Sequence, residues 1–234
     1  LHSARHMSAA TNTISARAEK PSFLATTIGK KVVMAATGMI LFGFVTGHML
    51  GNLQIYLGPD KLNAYAHFLQ SNLGLLWGAR TVLLLSVVLH ISMAIQLAAL
   101  KSKARPIAYQ KKANAGSSYA SRTMLWSGPI LFAFIVYHLL HFTIGSAHPD
   151  FREGSVYHNV VSGFQQPLVS IAYIVAMLLL GIHLHHGVWS MFQSIGVSHP
   201  RYTPMLKRFA LMATIGIVAG NISIPLSVLT GLVN

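Results

Sequence analysis

Residues 167–192 read PLVSIAYIVAMLLLGIHLHHGVWSMF, and this stretch decides the fold. It has no Asp, Glu, Lys or Arg from end to end, and it exceeds the about 20 apolar residues that cross a hydrocarbon core about 30 Å thick. Its apolar positions do not alternate with a period of two, as the strands of a membrane barrel would. A helix satisfies its own backbone hydrogen bonds, which lipid demands. Yet the run holds His183, His185 and His186. Ionisable groups inside a span are costly and call for a reason.

Working outward, four further runs of this kind lie at about 32–52, 80–100, 124–145 and 209–232, none with an Asp, Glu or Lys in its interior. The pattern predicts an all-α integral membrane bundle of five transmembrane helices. A polar segment over residues 1–29 would precede a transmembrane domain over 30–234. Composition agrees: the 234 residues are 53% hydrophobic and 9% charged, with a mean hydropathy of +0.54, whereas soluble domains carry about 25% charged residues. A soluble enzyme, a disordered chain and a nucleic-acid binder are thereby excluded. A nucleic-acid-binding face gathers its cations on a soluble module, and here they lie between apolar runs. The chain has no Cys, which removes disulfides, iron–sulfur ligation and covalent c-type haem attachment. Residues 1–20 lack an apolar core followed by a cleavage site, so no removable signal peptide is expected, and Met7 is a candidate native start.

Orientation follows from the cations. Of the 17 Lys and Arg, all but Lys61, Arg80 and Arg152 lie in the N-terminal segment, the second connection or the fourth. The first and third connections hold three of the 4 acids, Asp60, Asp150 and Glu153. The positive-inside rule then predicts a cytoplasmic N-terminus and a C-terminus outside, as an odd number of spans requires. The net charge of +13 is mainly a topological label, and such a face can also dock an acidic partner or anionic lipid. In the first connection, residues 60–73 (DKLNAYAHFLQSNL) are expected to form a short helix at the outer surface, with Leu62, Tyr65, Phe68 and Leu69 on one apolar face.

Thirteen His residues in such a chain are the anomaly. Spans one to four carry His48; His90; His138 and His141; and His183, His185 and His186, while span five carries none. Each alone can be a core imidazole satisfied by a polar neighbour. Depth sorts them further, since a helix rises about 1.5 Å per residue. Counted from Lys31 and Arg122, His48 and His138 lie roughly 25 Å and 24 Å above the cytoplasmic border. Counted from Lys101 and Gly196, His90 and His183 lie about 16 Å and 20 Å above it. One His of span one thus faces one of span three, and one of span two faces one of span four. Two opposed imidazoles across a bundle core are what a six-coordinate haem iron needs. Zinc is the rival metal, but it gathers four ligands at one point, and two separated levels argue against that. His183–His186 reads HxHH, yet on a helix His185 points about 200° away from His183. Gly43, Gly47 and Gly51 recur every four residues around His48, and Gly187 follows His183 by four. Such spacing admits either a flat cofactor or a close helix.

These residues resemble a known family. GHMLGN at 47–52, VLHISMA at 88–94, VYHLLHF at 136–142 and GIHLHHGVWS at 181–190 are similar to the four haem-ligating helices of the dihaem cytochrome b membrane anchor of succinate:quinone oxidoreductases (succinate dehydrogenase and fumarate reductase). The single-anchor branch with five spans is the nearest pattern. Each motif alone is weak; their order, their spacing and the HxxxGxW element at His183, Gly187 and Trp189 make the set specific. YAHFLQS at 65–71 also resembles the family's outer segment. The resemblance extends over about residues 30–232.

The resemblance implies two haem b groups, the distal one on His48 and His138 and the proximal one on His90 and His183, with His141, His185 and His186 as rivals. It implies a transmembrane haem-binding domain in a bacterial cytoplasmic membrane. Its partners would be a flavoprotein subunit, an iron–sulfur subunit, membrane lipid and a quinone, most simply menaquinone, with no nucleic acid. Electrons from the iron–sulfur subunit would pass through the haems to quinone. The dicarboxylate site would lie elsewhere in the complex, because no flavin fingerprint is present in this chain. Gly47 and Gly187 would lie beside the haems, with Lys30, Lys31, Arg122 and Arg208 as inner propionate partners and Arg80 as an outer one. Interfacial anchoring is the ordinary role of those cations. His67, Gln54 and Tyr65 are candidates for an outer quinone head, against ordinary loop packing. His148, His158 and His199 read as solvent-side residues, and Trp77, Trp126 and Trp189 as interfacial or haem-edge residues. No span contains an acid, so the intramembrane glutamate route of certain dihaem fumarate reductases is not expected. Two alternatives stay open: the anchor of another respiratory enzyme, such as a formate dehydrogenase or nitrate reductase, and a small transporter using its histidines as proton relays.

Overall fold

The computed structural model describes residues 22–104, 119–197 and 199–234, with the backbone alone at 119–122. The polar segment up to residue 21 lies outside the described residues, as do Arg105, Lys111 and Lys112 of the second connection. Among the described residues the chain is helical throughout, and five helices are long and apolar enough to cross a membrane. We number the α-helices α1 (Thr27–Asn52), α2 (Pro59–Ser71), α3 (Leu73–Lys103), α4 (Tyr119–Leu139), α5 (Val156–Phe164), α6 (Pro167–Ser194) and α7 (Thr203–Leu229). The spans are α1, α3, α4, α6 and α7.

Local chemistry sets the ends. The Thr26 hydroxyl caps α1 by accepting from the Gly29 N–H at 3.0 Å, and the Asn72 side chain caps α3 by accepting from Leu75 N–H at 3.2 Å. Proline opens α2, α6 and α7, where its missing N–H costs nothing. Past Leu139, α4 loosens into a π turn over Leu140–Ile144. That turn stops at Gly145, whose φ of 83° only glycine takes readily, and the Phe151 ring occupies the space a Cβ would need.

In the bundle α1 packs on α3, α6 and α7, and α6 packs on α4 and α7. At one end lie Lys30 and Lys31 of α1, Lys101 and Lys103 of α3, and Lys207 and Arg208 of α7. The other end is closed by α2, α5 and the 3-10 turn Leu53–Leu57, which pack around Ile55, Leu62, Val161, Phe164, Tyr173, Ile224 and Val228. The Asn63 side chain of α2 accepts from the Tyr157 N–H in the first turn of α5 at 2.9 Å. Leu62 and Ile55 are each only 2% exposed, and burial of such a residue away from water stabilises by about 1.5–3 kcal/mol. Between helices in lipid that driving force is absent and close packing takes its place. The second core cluster, Met49, Leu184, Val188, Ala210 and Ile217, joins α1, α6 and α7 in this way.

The short outer helix forms as expected. Phe68 departs from the expected face, being 61% exposed while Leu62 is buried. The apolar stripe of α2 is therefore narrower than its spacing suggests. Residues 156–164, in the third connection, form a further helix, α5, that the sequence analysis does not anticipate.

Candidate functional site

The four paired histidines come from four spans. The His48 and His138 rings, on α1 and α4, lie 5.8 Å apart between centroids, with their planes at 86°. The His90 and His183 rings, on α3 and α6, lie 6.4 Å apart at 55°. Over the described residues α1 and α4 share at most marginal backbone contact, and so do α3 and α6. Each pair therefore meets across a gap between helices that are not packed on each other, and His48 is exposed there.

The ring nitrogens are held. The Met34 carbonyl lies 3.1 Å from His90 Nδ1 and the Thr37 hydroxyl 3.3 Å from it. A carbonyl only accepts, so Nδ1 carries the proton and Nε2 keeps its lone pair. His183 Nδ1 lies 3.3 Å from the hydroxyl of buried Ser127, and His138 Nδ1 lies 3.4 Å from the Tyr173 hydroxyl. His48 differs: its Nε2 meets Asn52 Nδ2, one turn on, at 3.1 Å. Its ring stacks on Phe44 at 5.3 Å.

This donor set fits an axially ligated metal. With metal–nitrogen bonds of about 2.0–2.1 Å on each side, two opposed imidazoles have ring centres about 6 Å apart. Three of the four rings fix Nδ1 by a second hydrogen bond, the arrangement that orients ligating histidines. Among the described residues no three or more His, Cys, Asp or Glu side chains gather around one point as a tetrahedral zinc site requires. Beside the rings, a Cβ on Gly43, Gly47 or Gly187 would meet nothing within 4 Å, so these glycines border open space.

Other expected residues fall elsewhere. A Cβ on Gly51 would lie 2.7 Å from the Tyr65 ring, so that glycine serves the packing of α2 on α1 and Tyr65 is a packing residue. His67 is exposed on α2 and Gln54 half-buried in the 3-10 turn. Neither they nor Tyr65 line the cleft of about 280 Å³ at that end, which is bounded by Ile55, Tyr56, Tyr157 and Val233. The Arg80 guanidinium sits 5.1 Å over the Trp77 ring and the Lys207 ammonium 5.2 Å over Trp189, a cation–π arrangement suited to a membrane border. Lys31 and Arg208 are exposed and Lys30 half-buried; the Arg122 side chain is outside the described residues. Trp77 and Trp126 are exposed.

His148 corrects the solvent-side expectation. It is 9% exposed; its Nε2–H donates to the Asn159 carbonyl at 2.8 Å and its Nδ1 accepts from the Asp150 N–H at 3.0 Å. The loop after Gly145 folds back under α5 and carries the ring with it. His199 is exposed and His158 half-buried. His141 is fully buried in the π turn and His185 is exposed. The residues that sequence reasoning missed are Gly38, Ser127 and Tyr173. A Cβ on Gly38 would stand 3.3 Å from His90 Cε1, yet its place off the four-residue glycine series gave no cue. A scan against protein-family models, a search of curated proteins and a search of solved structures each found no match to this chain.

Proposed function

We propose that this chain is the membrane anchor and electron-transfer subunit of a succinate:quinone oxidoreductase in a bacterial cytoplasmic membrane. His48 and His138 would hold one haem b, and His90 and His183 the other. The observation that carries this reading is the pairing itself. Two pairs of imidazoles on four different spans face each other at 5.8 and 6.4 Å, between helices that are not packed together. The motif resemblance supplies the particular enzyme: a docked iron–sulfur subunit, its flavoprotein partner, and menaquinone as the membrane electron partner.

When bound, haem supplies reversible one-electron exchange at iron. The residues of this chain do the rest. The Met34 carbonyl keeps the His90 proton on Nδ1 and so leaves Nε2 basic. Ser127 holds His183 from a site only 2% exposed. Phe44 stacks on His48 and Phe134 packs against His138, which holds both rings of the outer pair. The glycines beside the rings leave room for a flat ligand. Between two levels of the membrane an electron moves through part of the transmembrane field, worth about 2.3 kcal/mol per 100 mV for a full crossing.

The test is a dithionite-reduced minus oxidised spectrum and a pyridine haemochrome assay on the complex purified in mild detergent. Two b-type haems per chain are expected, with a succinate-oxidising or fumarate-reducing partner in the preparation. His48→Ala and His138→Ala should lose one and the same haem, and His90→Ala and His183→Ala the other. An intact, haem-free preparation would overturn the proposal and favour a histidine-based proton conductor. Formate- or nitrate-dependent activity in the co-purified subunits would move the chain to another respiratory enzyme.

A further inference from the structure

Tyr173 on α6 stands between two histidines of α4 and its π turn. Its hydroxyl is 3.0 Å from His141 Nδ1 and 3.4 Å from His138 Nδ1. His141 is 0% exposed, and its Nε2 has no hydrogen-bond partner. Its ring is closed on both sides, by Tyr137 stacked at 5.4 Å and His148 at 4.8 Å. Gly163 of α5 completes the pocket, since a Cβ there would lie 3.0 Å from both His141 and His148. A buried imidazole with an orphaned nitrogen is costly, and a position that only filled space would be better served by Leu or Phe.

We propose that Tyr173 and His141 are positioning residues that fix the tautomer of His138. This inference rests on the haem reading given above. A phenol has one proton to donate and lone pairs to accept with. Two Nδ1 atoms face it, so it donates to one and accepts from the other. The shorter contact, to His141, belongs to the O–H donor, because O–H bonds run shorter than N–H bonds. Tyr173 therefore donates to His141 Nδ1 and accepts from the His138 Nδ1–H. His138 Nε2 is left as a bare lone pair. The relay thus separates the two rivals of the YHLLHF motif: His138 is the ligand and His141, closed in by two rings, orients it. It also makes His138 a more electron-rich ligand, because a hydrogen bond accepted from Nδ1–H raises imidazole basicity.

The test compares Tyr173→Phe with the wild-type complex by redox titration and low-temperature EPR of each haem. Phe keeps the ring that packs against Phe134 and Phe164 and removes only the hydroxyl. Haem content should stay at two per chain. The midpoint potential of the His48/His138 haem should rise and its low-spin EPR signal should move, with the other haem unchanged. His141→Leu should shift the same haem in the same direction, and His141→Asn, which keeps an acceptor near the Nδ1 position, should restore it. An unaltered outer haem in Tyr173→Phe overturns the inference alone, and so does an equal shift of both haems, the mark of general loosening. A wild-type complex without haem overturns the inference together with the reading it rests on.

Discussion

His90 is held by three small features of one helix face: the carbonyl of Met34, the hydroxyl of Thr37 and the missing side chain of Gly38. Gly38 is the most exposed to a test. A methyl at 3.3 Å from His90 Cε1 asks the ring to give by a few tenths of an ångström, and a larger branched group asks for far more. Overpacking of this kind costs about 1–3 kcal/mol, enough to move a ring out of line. On the proposed haem reading, Gly38→Ala should keep both haems and Gly38→Val should lose half or more of the His90/His183 haem while sparing the other. Difference spectra resolved by potential would read this; equal loss of both haems would refute the local account. Thr37→Val removes one hydroxyl contact but leaves the Met34 carbonyl, so it should weaken His90 ligation only slightly, by about 0.5–1.5 kcal/mol. The pairing of these histidines was legible because an imidazole stands out in an apolar run and the rise of a helix turns position into depth. Gly38, Ser127 and Tyr173 were not legible. Small and aromatic residues are ordinary in spans, and their partners lie on other helices.

Among the elements, α5 decides how the end of the bundle opposite the basic one is closed, and it escaped the sequence reading for a physical reason. VYHNVVSGF is nine residues, far too short to span, so a search for membrane-length apolar runs passes over it. Its inner face, Asn159, Val161, Gly163 and Phe164, is buried. Asn159 is the clamp: its side chain accepts from the Arg152 N–H at 2.8 Å and donates to the Arg152 carbonyl at 2.9 Å, while its carbonyl receives His148. Replacing Asn159 by Leu strands the part-buried N–H and carbonyl of Arg152, each worth at most about 1–3 kcal/mol. Gly163→Ala crowds three rings at 3.0–3.1 Å and should cost about 1–3 kcal/mol. Both variants should lower the thermal unfolding midpoint of the complex in detergent, and an unchanged midpoint for both would show that α5 is not a structural lid. The same loop carries a weak acid dependence. The Asp150 carboxyl is held below its ordinary 3.8, chiefly by the His158 hydrogen bond at 2.8 Å and then by Arg152. A depressed carboxyl contributes stability that is present above its unfolded pKa and is lost as pH falls through its folded one. The contribution should therefore hold at neutral pH and fade below about pH 4. Asp150→Asn should differ from wild type above that range and converge with it below, in acid-unfolding curves. Because Asp150 is exposed, the difference should be small and should shrink further in high salt.

For the whole molecule, the five spans and their order follow from hydropathy, since nothing but a helix satisfies a backbone in lipid. What hydropathy does not encode is which helices touch. In α3 only Ser86 is buried, so that span is held along one side, chiefly by α1, and its remaining apolar surface is open to lipid or to a neighbouring chain. The distribution of charge makes the decisive global prediction. Lys30, Lys31, Lys101, Lys103, Arg201, Lys207 and Arg208 lie at one end of the bundle, and Asp60, Asp150 and Glu153 at the other with only Lys61, Arg80 and Arg152 among the described cations. A positively charged end is retained in the cytoplasm, and that is where a soluble iron–sulfur partner would have to dock. The chain has no Cys, so a single introduced thiol reports its own side of the membrane. Glu153→Cys and Arg201→Cys each alter an exposed residue outside the spans. In intact cells, or spheroplasts where an outer membrane intervenes, a membrane-impermeant maleimide should label Glu153→Cys at once. It should reach Arg201→Cys only after the membrane is opened. The opposite pattern would turn the basic end outward, place the His90/His183 pair on the external side, and remove any route by which a cytoplasmic enzyme could deliver electrons to it first.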